Sequence, residues 1–175
     1  RHRMANKKAL RELQTRLAER LSTARAQPTG KSWLAVECGA RGFLFPLRDA
    51  GEIYAMAPLQ PVPHAHRWFL GVSNLRGHLH GVVDLAGFLG VKGTESTRDQ
   101  ARLVGFNPSR DVNCALLVDR LSGLRSETQL TLETDDGAAR PTFVGDRYRD
   151  ADGRVWQELR LAELAADGAF LRIVA

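Results

Sequence analysis

The chain is poor in the residues that most often carry chemistry or span membranes. It has two cysteines and four lysines in 175 residues. No apolar run approaches the roughly 20 residues that a membrane span needs, and no export-signal core is present. The chain therefore reads as soluble and cytoplasmic, with no direct membrane insertion. In a chain without an export signal, Cys38 and Cys114 read as reduced residues rather than a disulfide. CxxC and HExxH spacings, a glycine-rich phosphate loop, a dinucleotide fingerprint and repeats at solenoid spacing are all missing.

The near-matches to catalytic motifs fail on single residues. Gly71-Val72-Ser73-Asn74-Leu75 begins like a nucleophile elbow, but Leu75 stands where that motif needs glycine. Ser73 is then a strand-end hydroxyl. Asp150-Ala151-Asp152-Gly153 looks like part of a calcium loop, yet Tyr148 would hold the first ligand position and Leu159 that of the bidentate glutamate. His64/His66 and His78/His80 form two i, i+2 pairs, a spacing that puts both rings on one face of a strand. Two such pairs would make a zinc site only if the fold joined them, and the first pair lies between prolines. The chain reads as a non-enzyme with no cofactor and no metal.

What is present is an ordinary globular composition, 43% apolar and 26% charged, with a basic excess in one place. Residues 1–31 hold nine Lys/Arg against two Glu, a net +7, whereas residues 32–175 hold sixteen against eighteen Asp/Glu, a net −2. A small basic β-barrel that binds nucleic acid through this arm is the alternative reading. It is disfavoured, because such proteins carry their basic stripe on the folded face.

The arm predicts a helix over residues 6–26, rich in strong helix formers and stopped by Pro28 and Gly30. Leu10, Leu13, Leu17 and Leu21, spaced 3, 4 and 4, fall along one face. That stripe either docks on the chain's own domain or faces a partner. Missing aromatic anchors and a thin apolar face weigh against a membrane surface. Residues 1–3, ahead of Met4, read as an appended remnant, residues 4–30 as helix and linker, and residues 31–175 as the folded domain.

From Ser32 the pattern becomes one of strands. Trp33–Cys38 and Phe43–Pro46 flank Gly39-Ala40-Arg41-Gly42. Leu103–Phe106 and Cys114–Val118 flank a turn cluster at 107–111, and Arg147–Arg149 and Val155–Leu159 surround Asp152-Gly153, a strong hairpin signal. Leu79–Leu85 and Leu121–Arg125 add strands. Residues 51–63 read as irregular, 93–100 as loop, Leu161–Ala166 as a helical turn and Phe170–Val174 as a last strand. Short strands at roughly ten-residue spacing predict barrels or a sandwich.

The most informative stretch runs from Trp68 to Gly90. It joins apolar runs Phe69–Leu75 and Leu79–Leu85 through the polar turn Asn74-Leu75-Arg76-Gly77. A cationic side chain on a rigid turn beside apolar surface is equipment for recognition. The segment Gly71-Val72-Ser73-Asn74-Leu75-Arg76-Gly77-His78-Leu79-His80-Gly81-Val82-Val83-Asp84-Leu85 is similar to the central motif of the CheW-like domain, G-V-x-N-L-R-G-x-[hydrophobic]-x-P-V-[IV]-D-L. Ala50-Gly51-Glu52-Ile53, Leu59-Gln60-Pro61-Val62-Pro63 and Ala115-Leu116-Leu117-Val118-Asp119 resemble its flanking steps, so that residues 33–175 look like this adaptor module of bacterial chemosensory systems.

The resemblance implies a mainly β fold of two small five-stranded SH3-like barrels packed together, here preceded by an N-terminal α-helix. It implies partners as well: the cytoplasmic tip of a methyl-accepting chemoreceptor in a hydrophobic groove, and the regulatory domain of a CheA-type histidine kinase, with recruitment to membrane receptor arrays. Carried over by position, Arg76 matches the arginine associated with receptor coupling, Gly71 and Gly77 the turn glycines, and Asn74 the turn amide. Glu52, Ile53 and Val72 fall near the groove, which Leu75 and Val83 would also line. Asp84 and Asp119, each closing an apolar run, read as turn or cap residues. Gly81, Ala50 and Ala115 replace the family's usual proline, valine and glycine. That drift, with the basic helix, resembles the type IV pilus (twitching motility) adaptors of the PilI type more than the flagellar ones.

Overall fold

The computed structural model describes residues 7–18, 30–91, 99–134 and 137–172. The chain divides into residues 1–30 and a compact unit from Lys31 to Ala175. In the first, residues 7–18 form helix α1, the described part of the predicted helix; Leu21 lies outside the described residues. Leu10, Leu13 and Leu17 of α1 are exposed.

Among its described residues the compact unit has eleven strands: β1 (Ser32–Cys38), β2 (Arg41–Pro46), β3 (Ala50–Tyr54), β4 (Phe69–Leu75), β5 (His78–Asp84), β6 (Arg102–Phe106), β7 (Cys114–Val118), β8 (Arg120–Ser126), β9 (Thr131–Leu132), β10 (Val144–Arg149) and β11 (Val155–Leu159). Two short helices follow strands, α2 (Leu85–Leu89) after β5 and α3 (Leu161–Ala165) after β11, and a third, α4 (Gly168–Leu171), follows α3. The strands form a six-stranded sheet in the order β8-β1-β2-β11-β10-β9 and a five-stranded sheet in the order β3-β6-β7-β5-β4. The mainly β, two-sheet architecture is as expected. One sheet has six strands rather than five, because the two-residue β9 pairs with β10, and no ladder among the described residues joins either sheet's outer strands.

β1 shows how the sequence dictates the core. Trp33 to Val36 are all buried, so both faces of the strand are covered. Trp33 and Ala35 point into a cluster with Leu44, Tyr148 and Trp156. Cys38, on the opposite face with Leu34 and Val36, brings its thiol to 3.8 Å from the Leu117 carbonyl of β7, in the second sheet. Burial pushes this thiol up to about 12, which makes it inert at neutral pH. Both cysteines are free. Inside the first cluster, the Trp33 indole N–H donates to the Glu158 carboxylate at 2.6 Å. The six-membered ring of Trp156 occupies the space a Cβ on Gly42 would need, 2.4 Å away.

Three hairpins fall where the sequence places them: β1–β2, β6–β7 and β10–β11 are antiparallel pairs. Two expectations are corrected. The stretch read as irregular from residue 51 begins with β3, which pairs with β6 across a register shift between Ala50 and Ile53. The predicted last strand from Phe170 starts instead in α4, because the Asp167 carboxylate caps the Ala169 and Phe170 N–H groups at 3.0 and 3.1 Å. Phe170 is then buried against Phe106, Phe88 and Trp68.

Glu37 ties three parts of the first sheet together. Its carboxylate pairs with Arg120 of β8 and, at 2.7 Å, with Arg154 from the β10–β11 turn. Burial raises the carboxyl, but Arg154 and Arg120 outweigh it and hold the group below its ordinary value. A carboxylate depressed in this way stabilises the fold fully above its unfolded value and loses that contribution as pH falls through the folded one. Glu37→Gln is therefore expected to lower the urea midpoint at neutral pH, with the deficit shrinking towards about pH 3. A deficit of the same size at both pH values would show that the charge contributes nothing.

Candidate functional site

The motif segment folds as a hairpin of β4 and β5, paired from Phe69↔Val83 to Leu75↔His78. Its loop is the two residues Arg76 and Gly77, with φ of 50° and 85°. Positive φ at both central positions is the signature of a type I′ turn, whose twist matches that of the strands it joins. Arg76 itself takes the left-handed conformation, at a cost of about 1 kcal/mol. The Asn74 side-chain oxygen, one residue before the end of β4, accepts the Gly77 N–H at 2.8 Å and fixes the turn from within.

That turn presents Arg76 to solvent. Its side chain is 70% exposed, and Nη1 lies 3.1 Å from the Glu52 carboxylate, itself 55% exposed. An ion pair in so much water contributes about 1 kcal/mol or less. The guanidinium carbon also sits 5.8 Å from the centre of the Tyr54 ring, and that ring 5.6 Å from His80. Burial, then the Glu52 charge, raises the Tyr54 hydroxyl above its ordinary value. These contacts join β3 to the β4–β5 hairpin, the two ends of the strand order. The second sheet is thus curled until its ends meet through side chains.

The two motif glycines do different work. Gly77 has open space around a Cβ, so its requirement is the turn's positive φ alone. Gly71 is not in the turn. It lies within β4 at φ 134°, and a Cβ there would stand 2.3 Å from the Gln60 carbonyl oxygen. The close approach comes from the segment before the hairpin, which pairs with the edge of β4 through Gln60 and Val72 at 2.8 and 2.9 Å. Ser73 is buried and donates its hydroxyl to the Pro58 carbonyl at 2.9 Å, which secures the same segment.

Of the predicted groove residues, Ile53 and Val72 are half-buried. Leu75 and Val83 are buried core residues and line no surface. Alternation in the hairpin puts Val72, Asn74, Leu79 and Gly81 on one face. Leu79 is 65% exposed there. The sequence reading placed it in the apolar run of β5 and did not single it out. Asp84 stands at the N-cap of α2 and Asp119 accepts the Gly39 N–H at 2.9 Å, as turn and cap residues do. The histidines have local partners: His66 stacks on Trp68, and His80 Nδ1 is 3.0 Å from the His78 carbonyl. Among the described residues no group of His, Cys, Asp or Glu is placed to hold a metal ion.

The fold is a two-sheet β module that presents a solvent-facing hairpin. The family model for the CheW-like domain matches residues 32–169, and the chain belongs to this family. It is 33% identical to "Chemotaxis protein CheW" of Rhizobium meliloti over 120 residues, 69% of this chain and 73% of that one. It is 31% identical to "Protein PilI" of Pseudomonas aeruginosa over 143 residues, 78% of this chain and 79% of the relative. Its fold is similar to that of the scaffolding protein TtCheW from Thermoanaerobacter tengcongensis. There the TM-score is 0.61 at 16% identity, over 75% of this chain and 90% of the other.

The contrast between the glycines is measurable. Gly77→Ala is expected to cost about 1 kcal/mol, the left-handed penalty alone. Gly71→Ala adds overlap with backbone and should cost about 3 kcal/mol or more. Urea denaturation of the two variants checks this, and equal losses would show that Gly71 is not held by the Gln60 segment.

Proposed function

We propose that this protein is a non-catalytic adaptor that couples a methyl-accepting chemoreceptor to a CheA-type histidine kinase, in a type IV pilus (twitching) signalling pathway. The observation that carries the proposal is the hairpin turn, which fixes the backbone of Arg76 while leaving its guanidinium 70% exposed. At similar identity, the match to "Protein PilI" covers more of both chains (78% and 79%) than that to "Chemotaxis protein CheW" (69% and 73%), and this supports the pilus pathway.

The chemistry follows from the geometry. A helical receptor tip presents an apolar stripe flanked by polar groups, and helix-in-groove docking is a common recognition mode. Val72, Ile53 and Leu79 supply apolar contact. Arg76 supplies a planar fork that pairs with a carboxylate or with backbone carbonyls on the tip. Because Glu52 holds Arg76 only through a solvent-screened pair, exchanging Glu52 for a partner's carboxylate costs little. Asn74, Gly71 and Gly77 contribute by positioning this turn. The kinase regulatory domain engages a different surface, and such an adaptor works by holding the two partners together. Recruitment to a receptor array follows from receptor binding.

Titration of the full-length protein and of Arg76→Ala against a receptor cytoplasmic fragment, and separately against the regulatory domain of the kinase, tests the reading. Wild-type protein is expected to saturate both. Arg76→Ala should lose tenfold or more in affinity for the receptor fragment, about 1.4 kcal/mol, while kinase-domain affinity stays within about twofold. Absence of binding to either partner by the folded wild type would overturn the adaptor reading. An equal loss for both partners would move Arg76 from the receptor face to a structural role.

A further inference from the structure

Helix α1 carries a face for which the hairpin has no use. Leu10, Leu13 and Leu17 are 58%, 64% and 55% exposed. They stand at i, i+3 and i+7, within an arc of about 60° at roughly 100° per residue. On the same wheel Lys7 and Arg16 lie about 90° to either side of the centre of that arc, and Glu12 lies on the back, about 130° from the same centre. All of these side chains are exposed. Burying three leucines is worth about 1.5–3 kcal/mol each before the costs of association, so the stripe is a substantial reserve of binding energy.

The charges discriminate between occupants. A second copy would bring Lys7 and Arg16 of one helix against the same two of another, with Glu12 on the back and too far round to offset them. An interfacial helix anchors its apolar face with aromatic residues, and residues 7–18 contain no Trp, Tyr or Phe. A narrow apolar groove accepts leucines at i, i+3 and i+7, and bases on both flanks call for acid on both rims. We infer that α1 is a ligand helix for a partner protein whose apolar groove is rimmed on both sides by Asp or Glu. Leu10, Leu13 and Leu17 enter the groove, and Lys7 and Arg16 pair with its rims. This interface is separate from the hairpin and does not depend on the receptor–kinase reading.

The test is site-specific photo-crosslinking of the full-length chain, with Leu13 replaced by p-benzoylphenylalanine, in the cells it comes from. Crosslinked peptides are sequenced, and the captured protein is purified and titrated against the intact chain. The expected adduct is a peptide of another protein with acidic residues on both sides of an apolar stretch. Affinity for that protein should fall tenfold or more in Leu13→Asp, and as far in the Lys7→Glu/Arg16→Glu double variant, which keeps every leucine. Adducts only with lipid, with a second copy or with residues 31–175 of the same chain would overturn the proposal, as would no adduct at all. Unchanged affinity in the charge-reversal variant would overturn it too. Co-sedimentation with phosphatidylglycerol vesicles isolates the lipid outcome, and vesicle binding that the leucine and charge variants abolish counts against the groove.

Discussion

A single residue, Asp119, carries the chain from one sheet to the other. β7 ends at Val118 in the five-stranded sheet and β8 begins at Arg120 in the six-stranded one. Asp119 cannot swing freely, because its carboxylate accepts the Gly39 N–H and its own N–H donates to the Glu37 carbonyl, both at 2.9 Å. The other early crossing, Leu47-Arg48-Asp49 between β2 and β3, is also held by an aspartate. Asp49 is 2% exposed, and two nitrogens of Arg110 reach one of its oxygens at 3.2 and 2.7 Å. The Arg110 side chain is 40% exposed, so the pair reaches solvent on one side, but without it the buried carboxylate would lose its closest cation. The two short crossings therefore set how the sheets meet, and the position of the hairpin follows from them.

The hairpin end is held differently. There the constraints are in the backbone: a type I′ turn, an amide closing it, and a paired segment along the edge of β4. Side-chain interactions at the surface are weak, since Arg76 and Glu52 are both more than half exposed. The combination suits recognition. A binding residue must be fixed in place through its backbone, which lowers the ordering cost of binding, while its side chain stays free to exchange partners. Burying the ion pair would have stabilised the charge where it is and withdrawn it from use.

How much of this was legible in the sequence depended on whether local or distant chemistry decided the outcome. The hairpins around Gly39, Asn107-Pro108 and Asp152-Gly153 were readable because turn residues and alternation lie side by side in the chain. The Asn74–Gly77 turn was readable for the same reason. β3 was hidden because its pairing with β6 depends on Gly51, where a Cβ would lie 2.3 Å from the Phe106 carbonyl oxygen, a contact made 55 residues away in sequence. The C-terminal apolar residues read as a strand because Asp167, the cap that makes them a helix, lies just outside the apolar run. The role of Gly71 was misassigned because a glycine needed for close approach looks, in sequence, like one needed for a turn. Arg76 was found by position; that it reaches Glu52 and Tyr54 required the second sheet to curl.

The departures from the family pattern take on a different meaning once placed. Gly81, Ala50 and Ala115 look, as letters, like changes to a groove. In the fold all three are buried. Ala115 packs with Leu75, Val82 and Leu103 in the core of the second sheet, and Ala50 pairs with Phe106. Gly81 is the most telling. Its N–H donates to the Asn113 carbonyl at 2.8 Å, a bond that the family's proline has no hydrogen to make. The Phe69 ring fills the space a Cβ would need. The chain has therefore exchanged one way of fixing β5 for another: a backbone hydrogen bond and an aromatic lid in place of a rigid ring. Drift of this kind alters how the hairpin is supported and leaves the exposed residues, Arg76, Glu52 and Leu79, as they were.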